Sequence, residues 1–552
     1  MTSKTVPAFN DWPNDIGLTK PQFTTHEEQS DPVDLEVIGT IPSYVSGTLY
    51  RASTAGNTIP LSTTTTLPLS HWFDGLATVH RFTISPPSSS SSSSSVAAKI
   101  THTSRLTSSG VLTRVRRTGN LSGFTFGQKH DPCESLYAKF KSCFFSAGSP
   151  RATVDKSDKE EVNSCINVGV TISTDFPGAD AGGGIVVKTD AAVVQLLNGS
   201  NLKPEKYLLQ RDLHPDLRGP LSAAHARTDP LTGDLYNYNL DMRLRTSGYR
   251  VFRTRRDTGA TEVLATIRDA PPAYIHSFWM SEDYVVLCIW NSRFAWRGAR
   301  CIWEKNLVDA IADWDPRSRC FFYVIDRKGG KGVVAKFVDD VPFFVFHTVG
   351  AWEEGDGDLV LEALSYDNVD VIKRFYYENI LSTEVENGKA WLGRGRTRLT
   401  RWRLANIPKT NGKVLPAVRE FSVASEWGME LPTVNPLFVA KKNRYIYAVT
   451  STTASNFMDG ILKYDTATNS ATHWQVHAHT PGEAIFVPDP SGSAEDDGVL
   501  LSVVLDGVSG RSYLLVLDAR NMTELARAET KIVVGFGFHG KWDKEGVLGP
   551  EY

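Results

Sequence analysis

The sequence predicts an all-β fold, and three observations carry this prediction. Short apolar segments bounded by Gly, Asp, Asn or Pro recur along the chain, such as GTLYRAS, ATVHRFTI, GDLYNYNLDM, DYVVLCIW and SYLLVLDA. Many brief strands with turn signals between them are typical of a sandwich, a barrel or a propeller. The length of 552 residues excludes one ordinary sandwich, whereas a closed β-propeller can grow this large as a single unit. DRKGGKGVVAKF and KYDTATNSATHW are also typical of blade hairpins, so we favour a propeller whose repeats have diverged.

We expect one domain over residues 1–552, with two inserts and an N-terminal arm over 1–34. Unbroken polyserine from Ser88 to Ser95 predicts a flexible hairpin tip over 86–96. The second insert, over 130–182, is expected to belong to a cap. It contains the best helical pattern of the chain, ESLYAKFKSCFF, in which Leu136, Phe140, Cys143 and Phe144 share one face.

Composition excludes several classes of protein. The net charge of −3, from 59 basic and 62 acidic residues, leaves no basic footprint for nucleic acid. Six cysteines without a CxxC pair argue against a disulfide scaffold and against a cysteine zinc site. The N-terminal residues lack the apolar core of a signal peptide, and no apolar run approaches the roughly 18–20 residues that span a bilayer. We therefore expect a cytoplasmic protein, with peripheral contact to membranes or lipid droplets left open.

Four of the thirteen histidines share an unusual setting. They lie at or near strand ends beside small or aromatic residues, in the segments around His225, His276, His347 and His539. Their separations of 51, 71 and 192 residues exclude a local zinc motif, in which ligands lie a few residues apart. Such gaps fit a propeller whose blades each send one side chain toward the axis. Four imidazoles converging there would bind a transition metal, although a packed histidine with one hydrogen bond is the ordinary alternative for each.

Through these segments and several others, the chain resembles the carotenoid cleavage oxygenases along almost its whole length. The resemblance also includes GTLYR, HWFDGLATVHRF, MELPTVN and PGEAIFVP. It implies a seven-bladed β-propeller with a helical and loop cap over the central axis, in which the four histidines hold a non-haem Fe(II). It further implies that Glu430, Glu483 and Asp190 orient ligand histidines, as carboxylates do in many metal sites. Relatives carry glutamate where this chain has Asp190, so we expect its histidine to shift or to use a bridging water.

The implied activity is the cleavage of one conjugated C=C bond of a carotenoid or apocarotenoid by O2, giving two carbonyl products. Such a substrate requires an apolar tunnel that excludes water. The neighbours of the ligands that are expected to form its wall are Phe278, Trp279, Phe346, Trp352 and Phe538, although each is equally compatible with blade core. Val168 aligns near a side chain that crowds a vacant iron position in some relatives.

Alternative functions remain at this point. Stilbene-cleaving relatives hold a phenol with a lysine immediately before the acid that corresponds to Asp190. That lysine position is Thr189 here, and Lys188, one residue further back, would point to the opposite face of a strand. NDWPNDIGL and GFTFGQKHDPC resemble the fungal branch that cleaves torulene, which favours a carotenoid. An isomerohydrolase and a non-enzymatic interaction scaffold are further alternatives. Leu136, Phe140 and Phe144 are expected to face a membrane, since an apolar stripe with nearby lysines is typical of interfacial helices.

Overall fold

The computed structural model shows a seven-bladed β-propeller. It describes residues 25–85, 98–121, 123–129, 157–174, 176–177, 184–243, 247–355, 357–382, 393–407, 412–424, 428–452 and 457–544. Each blade is a sheet of four to six strands, and neighbouring strands are almost all antiparallel. The all-β prediction and the propeller architecture are therefore confirmed.

The blades are numbered here in chain order, and their strands are given in order across each sheet, beginning at the edge nearest the four histidines. Blade 1 consists of Gly537–Asp543, Gly47–Ala55, Leu76–Ser85, Lys99–Leu106 and Val33–Leu35. Blade 2 consists of Thr171–Ser173, Ile185–Lys188, Val193–Leu197 and Pro204–Leu209. Blade 3 consists of Arg227–Thr228, Leu235–Asp241, Gly248–Thr254 and Thr261–Ile267. Blade 4 consists of Trp279–Met280, Tyr284–Ile289, Cys320–Asp326, Val333–Asp339 and Val414–Pro416.

The remaining blades follow the same plan. Blade 5 consists of Phe344–Glu354, Asp358–Tyr366, Thr397–Leu404 and Val418–Ala424. Blade 6 consists of Glu430–Thr433, Tyr445–Thr450, Gly460–Asp465 and Ser470–Trp474. In blade 7, His479–Pro481 and Ile485–Pro488 both pair with Gly498–Asp506, which is followed by Arg511–Asp518, Glu524–Glu529 and Val37–Gly39. A separate hairpin joins Thr58–Pro60 to Thr66–Pro68.

Strands near the first and last described residues close the ring. The C-terminal strand Gly537–Asp543 pairs antiparallel with Gly47–Ala55 in blade 1. On the other side, Val37–Gly39 adds an outer strand to blade 7 by pairing with Glu524–Glu529. Val33–Leu35 enters blade 1 as well, so the end of the expected N-terminal arm is part of the sheet. Closure from both sides ties the first and last blades together.

Helices are short and connect or cover the blades. Within the described residues, the α-helices are Ser109–Thr118, Lys159–Asn163, Gln210–Leu213, Ala299–Glu304, Leu307–Ala310, Asp370–Arg374 and Tyr377–Ile380, and the 3₁₀ turns are Trp72–Asp74, Ala295–Gly298 and Pro436–Phe438. Four segments contact one another across the axis and are called the cap here: 69–75, 123–129, 299–311 and 370–381. Trp72 N–H donates to the Phe375 carbonyl at 3.0 Å, and Thr125 N–H donates to the Lys305 carbonyl at 3.0 Å.

The blade strands are apolar because neighbouring blades stack face to face. Gly498–Asp506, with the sequence GVLLSVVLD, is buried at seven consecutive positions, as expected for a strand covered on both faces. The two predicted hairpins are confirmed, because Cys320–Asp326 pairs with Val333–Asp339 and Gly460–Asp465 pairs with Ser470–Trp474.

Two predicted features lie outside the described residues: the serine-rich loop at 86–96, and the helix carrying Leu136, Phe140 and Phe144. Part of the expected cap insert over 130–182 is described, and it includes Thr171–Ser173, the inner strand of blade 2. The predicted insert therefore includes a strand of that blade. Among the helices of the described ranges, none combines the length and the apolar character needed to cross a membrane.

Candidate metal centre

Four histidines from four blades converge at the axis. One ring nitrogen from each of His225, His276, His347 and His539 lies within 4.8 Å of the others, and all four residues are buried. His539 Nε2 lies 3.0 Å from His225 Nε2 and 3.2 Å from His347 Nε2. The structure thus brings together the four residues that were predicted as ligands.

Local irregularities in the inner strands aim these side chains. In blade 5, the pairing register of Phe344–Glu354 shifts between Val345 and Thr348, and such a bulge redirects the side chain that it contains, here His347. In blade 1, His539 follows Gly537 and precedes Gly540. A Cβ on Gly537 would lie 2.6 Å from the Ala52 carbonyl oxygen, and one on Gly540 would lie 2.9 Å from that of Tyr50. The glycines therefore allow the close approach of two strands that places the imidazole.

Three of the histidines contact a carboxylate through Nδ1. His347 Nδ1 lies 2.6 Å from Glu430 Oε2, and His539 Nδ1 lies 2.7 Å from Glu483 Oε1. A carboxylate only accepts hydrogen bonds, so each Nδ1 carries the proton and each Nε2 presents a lone pair to the centre.

Asp190 contacts His276 directly. Its Oδ1 and Oδ2 lie 2.9 Å and 3.0 Å from His276 Nδ1. Of the two expected arrangements, a shifted histidine or a bridging water, the direct contact does not need the water. Asp190 follows the strand Ile185–Lys188 of blade 2. The adjacent Ala191 pairs with Leu221, which precedes the first strand of blade 3 in the chain. This placement brings the carboxylate within hydrogen-bond distance of His276 Nδ1.

Each carboxylate is held by a further side chain. The Tyr274 hydroxyl donates to Asp190 Oδ2 at 2.9 Å, and the Tyr366 hydroxyl donates to Glu430 Oε1. Arg51 Nη1 donates to Glu483 Oε2 at 3.1 Å. Sequence reasoning assigned no role to Tyr274, Tyr366 or Arg51. The available signals were weak: Tyr274 precedes His276 by two residues, and Arg51 ends the GTLYR motif.

The electrostatics of the site favour neutral imidazoles at His225 and His539 and charged carboxylates at Glu430 and Glu483. Burial lowers the pKa of His225 well below its ordinary value, and the neighbouring histidines act in the same direction. Burial likewise lowers the pKa of His539 to about 4, although Glu483 opposes the change. Burial alone would raise the pKa of Glu430 and Glu483, but their contacts with His347 and His539 and the hydrogen bonds that they accept outweigh it, so both pKa values are lowered.

This donor set fits a divalent transition metal. His347 and His539 both carry the proton on Nδ1, so neither has a hydrogen to place between the two Nε2 atoms at 3.2 Å. Two lone pairs facing each other at that distance repel, and a cation between them would turn the repulsion into attraction. Neutral imidazoles are ligands for zinc, copper, iron and nickel, so the residues do not by themselves choose among these metals.

Aromatic residues of the blades and the cap cover the histidines. The Phe346 ring lies 5.6 Å from the imidazole of His276. The Phe538 ring lies 4.6 Å from Trp72 and 5.1 Å from Phe73. Both residues were predicted as tunnel wall, whereas the cap residues Trp72 and Phe73 were missed although their motif had been recognised.

The other predicted wall residues lie mainly in blade packing. Phe278 is buried in the same apolar cluster as Phe346. Trp279 packs against Trp290 and Trp402, and its Nε1 donates to the Glu362 carbonyl at 2.7 Å. Trp352 lies beneath the guanidinium of Arg401 at 5.2 Å. Val168 packs in a separate cluster with Tyr50, Ala52 and Val79. The described contacts of Trp279, Trp352 and Val168 are thus with blade core.

Lys188 is buried in blade 2, and its Nζ donates to Ser173 Oγ at 2.6 Å. The neighbouring Thr189 is followed by Asp190, the partner of His276. The ammonium of Lys188 is therefore engaged within blade 2.

A family model and individual known proteins match this chain along nearly its whole length. The family described as "Retinal pigment epithelial membrane protein" matches residues 22–544. A Neurospora crassa protein named "Carotenoid dioxygenase" is 36% identical over 597 residues, covering 99% of this chain and 94% of that protein. A Fusarium fujikuroi "Torulene dioxygenase" is 36% identical over 565 residues, covering 97% of this chain and 94% of that protein.

Solved structures support the fold. A variant of the Synechocystis apocarotenoid oxygenase in which one glutamate is replaced by aspartate superposes with a TM-score of 0.70 at 20% identity, covering 96% of this chain and 99% of that one. With the family match over residues 22–544 and relatives at 36% identity along nearly its whole length, this chain belongs to the retinal pigment epithelial membrane protein family of carotenoid oxygenases, and it is an oxygenase enzyme.

Proposed function

We propose that the protein is an Fe(II)-dependent dioxygenase that cleaves one conjugated C=C bond of a torulene-like carotenoid or apocarotenoid with O2. The observation that carries the proposal is the group of four buried histidines, three of them oriented by carboxylates, beneath an aromatic cover. The names of the Neurospora and Fusarium relatives support the substrate class.

The metal would be held by His225, His276, His347 and His539, and Fe(II) would supply the binding and activation of O2. An all-histidine set brings no negative charge to the metal, in contrast to the two-histidine, one-carboxylate sites of many oxygenases. No keto-acid cosubstrate is needed, because adding both oxygen atoms of O2 across one C=C bond and breaking that bond yields two C=O groups with all electrons accounted for.

The protein's own residues orient the ligands and exclude water. Asp190, Glu430 and Glu483 keep the Nδ1 proton of their histidines away from the centre, so that each Nε2 faces it. Phe346 and Phe538 together with Trp72 and Phe73 supply an apolar, largely flat-sided surface. Such a surface binds a polyene by contact area and shape. The position of the cleaved bond would therefore depend on how far the polyene enters the apolar tunnel.

The same geometry disfavours a stilbene substrate. In the stilbene-cleaving relatives, a lysine immediately before the acid that corresponds to Asp190 would meet the phenol, and the position of that lysine holds Thr189 here. The nearest alternative, the ammonium of Lys188, hydrogen-bonds to Ser173 within blade 2. For an apolar polyene, lipid is the natural reservoir, so we also propose a cytoplasmic enzyme with peripheral contact to membranes or lipid droplets.

The test is cleavage by Fe(II)-loaded protein with torulene, β-apo-8′-carotenal and resveratrol as separate substrates, under isotopically labelled O2. We expect aldehydes from the polyenes, with label in both products before exchange with water, and no cleavage of resveratrol. The matched control is His539→Ala, which removes one ligand. Cleavage of resveratrol alone would establish the stilbene alternative, and a metal-loaded protein that cleaves none of the three would contradict the proposal.

A further inference from the structure

A buried arginine, Arg51, contacts the carboxylate that hydrogen-bonds to His539. Arg51 is 2% exposed and lies on the strand Gly47–Ala55, next to the inner strand of blade 1. Its Nη1 donates to the side-chain Oε2 of Glu483 at 3.1 Å and to the backbone carbonyl of the same residue at 3.3 Å. The guanidinium therefore hydrogen-bonds to both the carboxylate and the backbone of Glu483.

The two oxygens of Glu483 have separate partners. Oε1 accepts from His539 Nδ1 at 2.7 Å. Oε2 accepts from Gly540 N–H at 2.7 Å and from Arg51 at 3.1 Å. Since Oε2 is held by two donors, the carboxylate is not free to rotate, and Oε1 stays in line with the imidazole. A bond from a guanidinium to a carboxylate is charge-assisted and roughly twice as strong as a neutral one.

Glycines surround the guanidinium closely. A Cβ on Gly482 would lie 2.8 Å from Arg51 Nη2, one on Gly537 would lie 3.1 Å from the same nitrogen, and one on Gly540 would lie 2.8 Å from Arg51 Cδ. Two of these glycines flank His539, and the third precedes Glu483. The backbone that carries the ligand and the backbone that carries its carboxylate are therefore fitted around one arginine side chain.

The other two carboxylates are held differently. Asp190 and Glu430 accept from the hydroxyls of Tyr274 and Tyr366. A tyrosine hydroxyl is a neutral, single-point donor that can rotate, whereas a guanidinium is a planar cation with several donors in fixed directions. The ligand of blade 1 is thus the one whose carboxylate has a permanent positive partner among the residues that the structure describes.

We propose that Arg51 is a positioning residue of the metal centre, which acts through Glu483 to fix the orientation of His539. The inference rests on the metal centre of the proposed function, but not on its substrate. It predicts that the loss of Arg51 lowers metal affinity by about 10–100-fold, the usual effect of removing a partner that orients a ligand. It also predicts that Arg51 matters for the metal only while Glu483 is a carboxylate.

The test uses Co(II) as a probe, because its absorption bands report the geometry of its ligands without turnover. Arg51→Met removes the charge and keeps most of the length. The matched control is Arg401→Met, since Arg401 also binds a buried glutamate, with its Nε 2.8 Å from Glu362 Oε1, but that pair contacts none of the four histidines. We expect weaker Co(II) binding and altered bands for Arg51→Met, and wild-type binding and bands for Arg401→Met.

A second variant covers the case in which Arg51→Met does not fold. Arg51→Lys keeps the charge but offers a single-point donor, so we expect a smaller loss of Co(II) affinity. In a Glu483→Gln background, the same Arg51→Lys change should have little further effect, because residues that act in series are not additive.

Three results would overturn the role of Arg51. They are wild-type Co(II) affinity and bands in the folded Arg51 variants, an equal loss in Arg401→Met, or full additivity of Arg51→Lys with Glu483→Gln. Failure of the wild-type protein to bind Co(II) would instead refute the metal centre itself, so the two failures are distinguishable.

Discussion

Glu430→Gln provides the sharpest test of the carboxylates that orient the ligands. Glu430 is 6% exposed, and its Oε2 accepts from both His347 Nδ1 at 2.6 Å and Leu431 N–H at 2.9 Å. Leu431 holds a φ of 50°, an uncommon conformation for a branched residue that turns its N–H back onto the carboxylate. Glutamine has the same shape, so the substitution removes the charge and leaves the volume unchanged.

The magnitude follows from the hydrogen bonds. Two N–H donors converge on Oε2, so in Glu430→Gln the amide oxygen must take that place and the NH2 group must face Tyr366, whose hydroxyl then has to accept. A hydrogen bond to a charged group contributes about 1.5–3 kcal/mol and a neutral one about 0.5–1.5 kcal/mol, so the bond to His347 weakens by about 1–1.5 kcal/mol. The cation also loses a nearby negative charge. Together these effects correspond to about 10–100-fold weaker metal binding.

The assay is a chelator competition that measures Fe(II) or Co(II) affinity, with circular dichroism to verify the fold. Glu362→Gln is the control, because Glu362 is fully buried and binds Arg401 but contacts none of the four histidines. We expect Glu362→Gln to lower the melting temperature and leave metal affinity unchanged. We expect Glu430→Gln to lower metal affinity with little change in melting temperature. Wild-type metal affinity in Glu430→Gln, or the same loss in both variants, would refute the reasoning.

Three further predictions address the ligands, acid stability and lipid contact. His539→Ala should abolish bound metal and cleavage in folded protein, measured by elemental analysis, and full metal content would contradict the assignment. Burial lowers the pKa of His102 from 6.5 to about 4, so the stabilisation present above pH 6.5 is lost as the pH falls toward 4, by about 2 kcal/mol between pH 7 and pH 5. His102→Gln should then flatten melting temperature against pH over that range, and identical curves would disprove this origin. A Phe140→Ser, Phe144→Ser double variant should lose liposome co-sedimentation while still cleaving detergent-dispersed apocarotenal, and unchanged liposome binding would exclude this segment as the contact.

Local patterns were sufficient to predict the strands and the ligands. Strands have a two-residue period and turns have a restricted set of residues, so segments such as DRKGGKGVVAKF identify a hairpin from sequence alone. The four histidines were singled out from their shared context at strand ends, whereas Glu430 and Glu483 were assigned through the resemblance of their motifs to the family. These signals are local because they depend on backbone conformation within a few residues.

The residues behind the ligands required the tertiary structure. Tyr274, Tyr366 and Arg51 lie 84, 64 and 432 positions from the carboxylates that they contact, and their immediate sequence gives at most a weak signal for that role. Such contacts are created when blades close around a common axis. Likewise, the direct contact of Asp190 with His276 depends on how a loop after one blade 2 strand approaches blade 4, which the length of the side chain alone did not predict.

The sequence by itself determined the all-β class and the brief strands and singled out the four histidines, because strand periodicity, turn residues and the context of each histidine can be recognised within short windows. Only the tertiary structure decided which neighbours of the ligands face the axis, since Phe346 covers His276 whereas Trp279 and Trp352 pack into blades. The physical reason is register. A bulge or a one-residue shift reverses the face on which a side chain lies, and register is set by pairing between strands that are distant in sequence.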